Sequence, residues 1–268
     1  MFVVKVPCVN GLEKTKGCAS AGNLVLESLK EIHSNEQGRF VDVNLLDLEE
    51  IHVDNPNLQT AFELIYRNSV EIFEEKPKTI FLGGDHSITY SIVKALLKYC
   101  NGTGKNPCLI VFDAHPDCMK PVDLKLPTCR EWLRALVELG FPTENIFLVG
   151  VRNSDPSEIE FLKRYRIKMI SMNQLVADIE DSCDMLMEFS KGKALYVSID
   201  VDMVDPAFAP GTECKEPGGL TSRQFLYLIQ RLNKVKDLRA FDIVEISPEK
   251  DVNGLTVKLG AKILSEIL

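Results

Sequence analysis

Short uninterrupted apolar runs alternate with segments of helical period along almost the whole chain, and this alternation restricts the fold more than any other feature. The runs FVVKV (2–6), RFVDVNLL (39–46), KTIFLG (78–83), PCLIVFD (107–113), NIFLVGV (145–151), IKMIS (167–171), ALYVSID (194–200) and LRAFDIVE (238–245) read as strands. Several carry apolar residues at consecutive positions, the pattern of strands covered on both faces, as in parallel sheets. Between them, apolar periodicity predicts helices over 20–32, 57–73, 87–99, 129–139, 156–165, 174–189 and 222–232, with a last one near 258–268. Strand–helix alternation of this kind predicts a three-layer α/β fold, a doubly wound, mostly parallel sheet of about eight strands. No linker-like composition shift, repeat or low-complexity tract interrupts it, so residues 1–268 read as a single domain.

Composition narrows the function classes. Hydrophobic residues make up 45% of the chain, enough for a full core. The net charge is −8, from 31 Lys+Arg against 39 Asp+Glu, which disfavours nucleic acid and anionic membrane as partners. No apolar run is long enough to cross a membrane. The N-terminal MFVVKVPCVNGLEK lacks the basic and long apolar regions of a signal peptide. The eight cysteines include no C-x-x-C pair, which argues against zinc-ribbon and thioredoxin readings. Scattered in a chain this long, they read as reduced thiols and predict a cytoplasmic protein.

The polar residues cluster where the strands end. KTIFLG runs into Gly84, Asp85, His86 and Ser87; CLIVF into Asp113, Ala114, His115, Pro116 and Asp117; ALYVS into Asp200, Val201 and Asp202; and LRAFDIV into Glu245. In open α/β sheets ligands bind beyond the carboxyl ends of the strands, so these clusters should converge on one crevice. If the chain stays extended there, Asp113, His115 and Asp117 share one face, as do Asp200 and Asp202. Four carboxylates brought together repel unless protonated or neutralised. Two divalent metals suit four carboxylates and two imidazoles, and ligation without thiolate biases the choice toward Mn²⁺. Asp85 and Asp205 read as turn or cap residues, Trp132 as helix packing, His33 and His52 as exposed, and Asn101–Lys105 as a turn.

At these residues the chain resembles the ureohydrolases: arginase, agmatinase, formimidoylglutamase and relatives. The matching motifs are GGDHS (83–87), DAHPD (113–117), SIDVDMVDPAFAPGT (198–212) and EPGGL (216–220), with DIVEISP (242–248) a weaker match, in family order from about residue 17 onward. The resemblance implies an arginase/deacetylase-like fold and two Mn²⁺ per subunit. His86, Asp113, Asp117 and Asp200 would hold one metal, and Asp113, His115, Asp200 and Asp202 the other. A hydroxide formed on the metals would attack the planar carbon of a small cationic guanidino or formimino substrate, releasing urea or formamide. Asp117 would help a proton reach the leaving amine, and Glu245 would pair with the guanidinium. Family members suggest a homo-oligomer, trimer or hexamer.

The chain departs from the pattern after DAHPD. Arginases and agmatinases carry a His there; this chain has none after His115, and rough alignment puts Cys129 at that point, or Thr128 or Arg130 with a gap of one residue. Cys129 is therefore a candidate proton carrier or, alternatively, a small buried hydrophobe. The SGN-like anchor of arginases is also absent, so arginine is not supported as substrate. Arg152 and Asn153, after the strand 145–151, are candidate pocket residues. A deacetylase reading lacks its paired His, since Ser87 follows His86 and Pro116 follows His115. Beside an agmatinase-like or arginase-like hydrolase stand a formimidoylglutamase-like one and a metal-binding relative without turnover.

Overall fold

All eight strands of the sheet run parallel, in the order β2-β1-β3-β8-β7-β4-β5-β6. They are β1 (Phe2–Val6), β2 (Asp47–Glu50), β3 (Thr79–Gly83), β4 (Pro107–Phe112), β5 (Ile146–Val151), β6 (Lys168–Ser171), β7 (Ala194–Asp200) and β8 (Leu238–Val244). The computed structural model describes residues 1–11 and 14–268. Every residue of β3, β4, β5 and β7 is buried, as their unbroken apolar runs require of strands covered on both faces.

The pleat divides the core in two. Leu195, Val197 and Ile199 of β7 face one apolar layer with Val25 and Leu29 of α1 (Ala21–Leu29), Phe225 of α8 (Ser222–Leu232) and Ile263 of α9 (Leu255–Ile267). Tyr196 faces the other, with Ile65 of α2 (Leu58–Glu75), Ile92 of α3 (Ile88–Thr103), Leu136 of α4 (Trp132–Glu138) and Phe161 of α5 (Pro156–Tyr165). Helix starts follow local chemistry. Asp155 and Glu158 form a capping box ahead of α5 with Pro156 in the first turn, and Thr221 and Gln224 do the same for α8.

Three elements differ from the sequence expectation. α3 runs on to Thr103, through most of the Asn101–Lys105 segment read as a turn, and stops at the left-handed Gly104. RFVDVNLL is not a strand: Asp42 accepts from Asn44 N and starts a 3₁₀ turn over Val43–Leu45, leaving Phe40 and Leu45 exposed. The edge strand is instead the acidic DLEE, where Asp47 and Glu50 pair with Lys76 and Lys5. A charged edge discourages pairing with a further chain. The expected helix 174–189 is two, α6 (Met172–Ala177) and α7 (Ile179–Ser190), because Asp178 is extended between them and caps α7 by accepting from Asp181 N.

Candidate metal centre

β3, β8, β7 and β4 are neighbours in the middle of the sheet, so the four polar strand ends meet on one edge. β4 and β7 stop at Phe112 and Asp200, and the ligand-bearing residues beyond them lie in tight loops rather than on extended chain. The convergence expected of one face is achieved by backbone amides instead. His115 N donates to Asp113 Oδ1 (2.7 Å), Asp202 N to Asp200 Oδ1 (2.8 Å), Ala114 N to Asp202 Oδ1 (3.0 Å) and His86 N to Glu245 Oε1 (2.9 Å). Each loop thus fixes a carboxylate of its own or a neighbouring loop. Gly84 enters this packing because a Cβ there would lie 2.0 Å from Cys8 O.

Two clusters result. His86 Nδ1 lies 3.1 Å from Asp113 Oδ2, 3.0 Å from Asp117 Oδ2 and 3.4 Å from Asp200 Oδ2. His115 Nδ1 lies 2.9 Å from Asp202 Oδ2 and 3.5 Å from Asp113 Oδ1. Asp113 therefore stands between two groups with ligand atoms close enough to share a cation each. Asp117 (φ 50°) and Glu245 (φ 63°) sit in left-handed backbone, a strain that non-glycine residues hold only where surroundings impose it.

The electrostatics call for positive charge. Burial, then the charges of Asp117 and Asp202, push Asp113 up to about 6. Burial with Asp202 and Asp113 holds Asp200 well above the carboxylate range, and burial with Asp200 and Asp85 does so for Glu245. Burial alone would lower both imidazoles, but Asp113, Asp117 and Asp200 beside His86, and Asp113 and Asp202 beside His115, raise them. Protons here supply charge that a divalent cation would supply. His86 Nδ1 and Asp113 Oδ2 are moreover buried with no hydrogen-bond partner among the described residues. Such orphaned atoms are rare in folded proteins, and a metal between them would satisfy both. The donor set, carboxylates and imidazoles without thiolate, fits Mn²⁺.

A second layer orients the ligands. Asp242, fully buried in β8, accepts from Ser198 Oγ (2.7 Å), Thr89 Oγ1 (2.7 Å), Tyr196 OH (2.8 Å) and Ile199 N (3.1 Å). Ser198 Oγ, having donated to Asp242, accepts from His86 Nε2 (2.9 Å), which leaves Nδ1 facing the carboxylates. Sequence reading passed over this chain, although one Asp inside a strand buried on both faces is its signature. Glu216 accepts from Asn153 Nδ2 (2.5 Å) and faces His115 Nε2 at 3.4 Å.

Beside the clusters opens a cavity of about 220 Å³ lined by Asp117, Cys129, Asn153, Asp200, Asp202 and Glu245 among others. Cys129 lines this cavity, its sulfur grouped with carboxylate oxygens of Asp85 and Glu245. Burial and the charges of Glu245 and Asp85 raise its pKa, so without metal it keeps its proton. Asn153 reaches the cavity, but Arg152 serves a different purpose: its Nη2 donates to the carbonyls of Asp202 and Glu216 (both 2.6 Å) and clamps the loop after β7. Asp85 and Asp205 are turn residues as expected, accepting from Thr15 Oγ1 and Ser87 N, and from Ala207 N and Gly218 N, respectively. Trp132 is more than helix packing, since its indole touches two residues of the site.

The Arginase family model matches residues 1–268. The chain belongs to the arginase family. Arginase 1, mitochondrial, of Oryza sativa subsp. indica is 30% identical over 252 residues, which cover 93% of this chain and 71% of that one. Agmatinase of Bacillus subtilis (strain 168) is 28% identical over 232 residues, 85% of this chain and 76% of that one. In fold, formimidoylglutamase from the same bacterium superposes with a TM-score of 0.89 at 23% identity, covering 99% of this chain and 84% of that one. As a member of the arginase family the protein is a hydrolase of C–N bonds in linear amidines. Among the described residues no helix is long and apolar enough to cross a membrane.

Proposed function

We propose that this arginase-family protein is a binuclear Mn²⁺ hydrolase of a small linear guanidino or formimino compound. The observation that carries the reading is the pair of clusters sharing Asp113, with two buried atoms that lack a hydrogen-bond partner among the described residues. His86, Asp113, Asp117 and Asp200 would hold one ion, and Asp113, His115, Asp200 and Asp202 the other. When bound, the two ions would activate water and neutralise the carboxylates. The chain's own residues do the rest. Glu245, a buried residue of the cavity lining, pairs with the cationic amidine, a charge-assisted and planar match. Asp117 passes a proton to the departing nitrogen as the C–N bond breaks. Water supplies the oxygen of the product and the proton balance, so a guanidino substrate yields urea and an amine. Cys129 lines the wall beside Glu245.

Two cations in the cavity lining support a substrate with an anionic far end. Lys14 and Arg130 belong to that lining. Of the acids around them, Glu213 is paired with Lys250, whereas Glu216, Asp155 and Glu158 accept from the neutral donors Asn153, Ser157 and Cys118 N, and Arg130 also acts on Asp155 and Glu158. A guanidino acid or an N-formimino amino acid would set its carboxylate against Lys14 or Arg130. All eight cysteines are free thiols, which supports a reducing, cytoplasmic setting.

The test is product release by the Mn²⁺-loaded protein from arginine, agmatine, guanidinobutyrate, guanidinopropionate and N-formiminoglutamate, assayed as urea or formamide. Turnover of an acid in excess of agmatine is the expected result. Agmatine as the preferred substrate would overturn the assignment of Lys14 and Arg130. No product from any of them, with both ions bound, would leave a metal-binding protein without turnover.

A further inference from the structure

Trp132 is the single tryptophan of the chain, opens α4 and is fully buried. Its Nε1 donates to Asp117 Oδ2 at 3.1 Å, the same oxygen that lies 3.0 Å from His86 Nδ1. Its ring lies against the His86 imidazole, with centroids 4.7 Å apart and planes inclined by 39°. The next residue adds a backbone bond, Leu133 N to Asp117 O at 3.2 Å. Asp117 is one of the two site residues in left-handed backbone. Two consecutive residues of α4 therefore grip Asp117 by its carboxylate and its carbonyl.

We infer that Trp132 is a positioning residue that presets Asp117 and His86 for one metal of the pair and leaves the other untouched. The inference rests on the binuclear reading above. The indole N–H uses one lone pair of Oδ2 and fixes the rotation of the carboxylate, so the remaining lone pair is aimed before any cation arrives. The ring, together with Ser198 at Nε2, fixes the plane of His86. Neither contact reaches His115 or Asp202, whose placement depends on Ala114 N and the loop after β7. Partners of this kind typically govern metal affinity by about 10–100-fold.

The experiment is calorimetric titration of the chelator-treated full chain with Mn²⁺. In the wild type two binding steps are expected, one of which quenches the emission of Trp132. Trp132→Phe, which keeps a ring and loses the donor, should weaken that step by about tenfold or more and leave the other within about twofold. Should Phe loosen the core, benzothienylalanine at position 132 keeps the indole shape without the N–H, and the same one-step loss is expected. Wild-type affinity at both steps in the benzothienylalanine protein, or an equal loss at both, would overturn the inference alone. A wild type that binds no Mn²⁺ would overturn the binuclear reading and this inference with it.

Discussion

Asp242→Asn isolates the role of a buried charge that touches no metal. The carboxylate accepts four hydrogen bonds, from three hydroxyl or amide donors of β7 and from Thr89 of α3. It ties β8 and β7 to α3 in a site without solvent. An amide of the same shape keeps one acceptor oxygen. Placed at Oδ1, that oxygen retains Ser198 and Ile199, and the NH₂ then meets Thr89 and Tyr196, two donors that must reverse. Bonds to a charged group exceed neutral ones by about 1 kcal/mol each, so the four together favour the carboxylate by about 2–4 kcal/mol, allowing for their sharing of two oxygens. Opposing this is relief from burying a charge. With every lone-pair direction occupied by a donor, the bonds are expected to win. At about 2–3 °C per kcal/mol for a chain of this size, the melting temperature should fall by roughly 5–10 °C. The measurement is thermal unfolding of the metal-free protein, so that ligation contributes nothing. An unchanged or raised melting temperature would refute the reasoning, because it would mean that desolvation outweighs four charge-assisted bonds.

Asp200→Ala should lower bound Mn²⁺ and abolish turnover; full activity without metal would refute the binuclear mechanism. Glu245→Ala should raise KM or cut kcat while both ions stay bound, measured by metal analysis beside the assay, and loss of metal would show that Glu245 belongs to the ligand set. Alkaline stability follows from the thiols. Burial raises Cys8 and Cys108 from 9.0 to about 12, and Cys100 and Cys183 to about 11. Above pH 9 the unfolded chain sheds these protons and the folded one keeps them, so stability is full below that pH and is lost as pH rises toward 12. Lys78, lowered by burial to about 8, contributes with the opposite sign between 8 and 10.5, one group against eight, since burial raises Cys18, Cys118, Cys129 and Cys214 as well. A melting temperature that stays flat from pH 8 to pH 11 would contradict this balance.

The centre of the sheet was legible because its strands are written twice, once as unbroken apolar runs and once as polar residues at their ends. β3, β4, β7 and β8 lie where those runs are, and their ends meet. The margin was not. In RFVDVNLL the apolar residues have the period of a strand and no partner to cover Phe40 and Leu45, while DLEE pairs with β1 through its backbone and the Lys5–Glu50 ion pair and carries Leu48 as its one apolar residue. At the site, residue type and motif identified the metal-ligand candidates, but the supporting contacts depend on distances along the chain that no pattern spans. Ser198 meets His86 across 112 positions, and Glu216 meets His115 across 101. Trp132 looked like packing because an indole does pack; that its N–H finds Asp117 is set by where α4 begins.

The order of the strands ties the centre to the last part of the chain. β8 is the last strand in sequence, yet it lies between β3 and β7 in the sheet. All six candidate ligands precede it in sequence, from His86 to Asp202. Leu238–Val244 pairs with both neighbouring strands, places Asp242 under Ser198 and brings Glu245 to His86 N. His86 and Asp200 are therefore set one strand apart by a segment that carries no candidate ligand of its own, so the geometry of the centre answers to a part of the sequence that lies outside it.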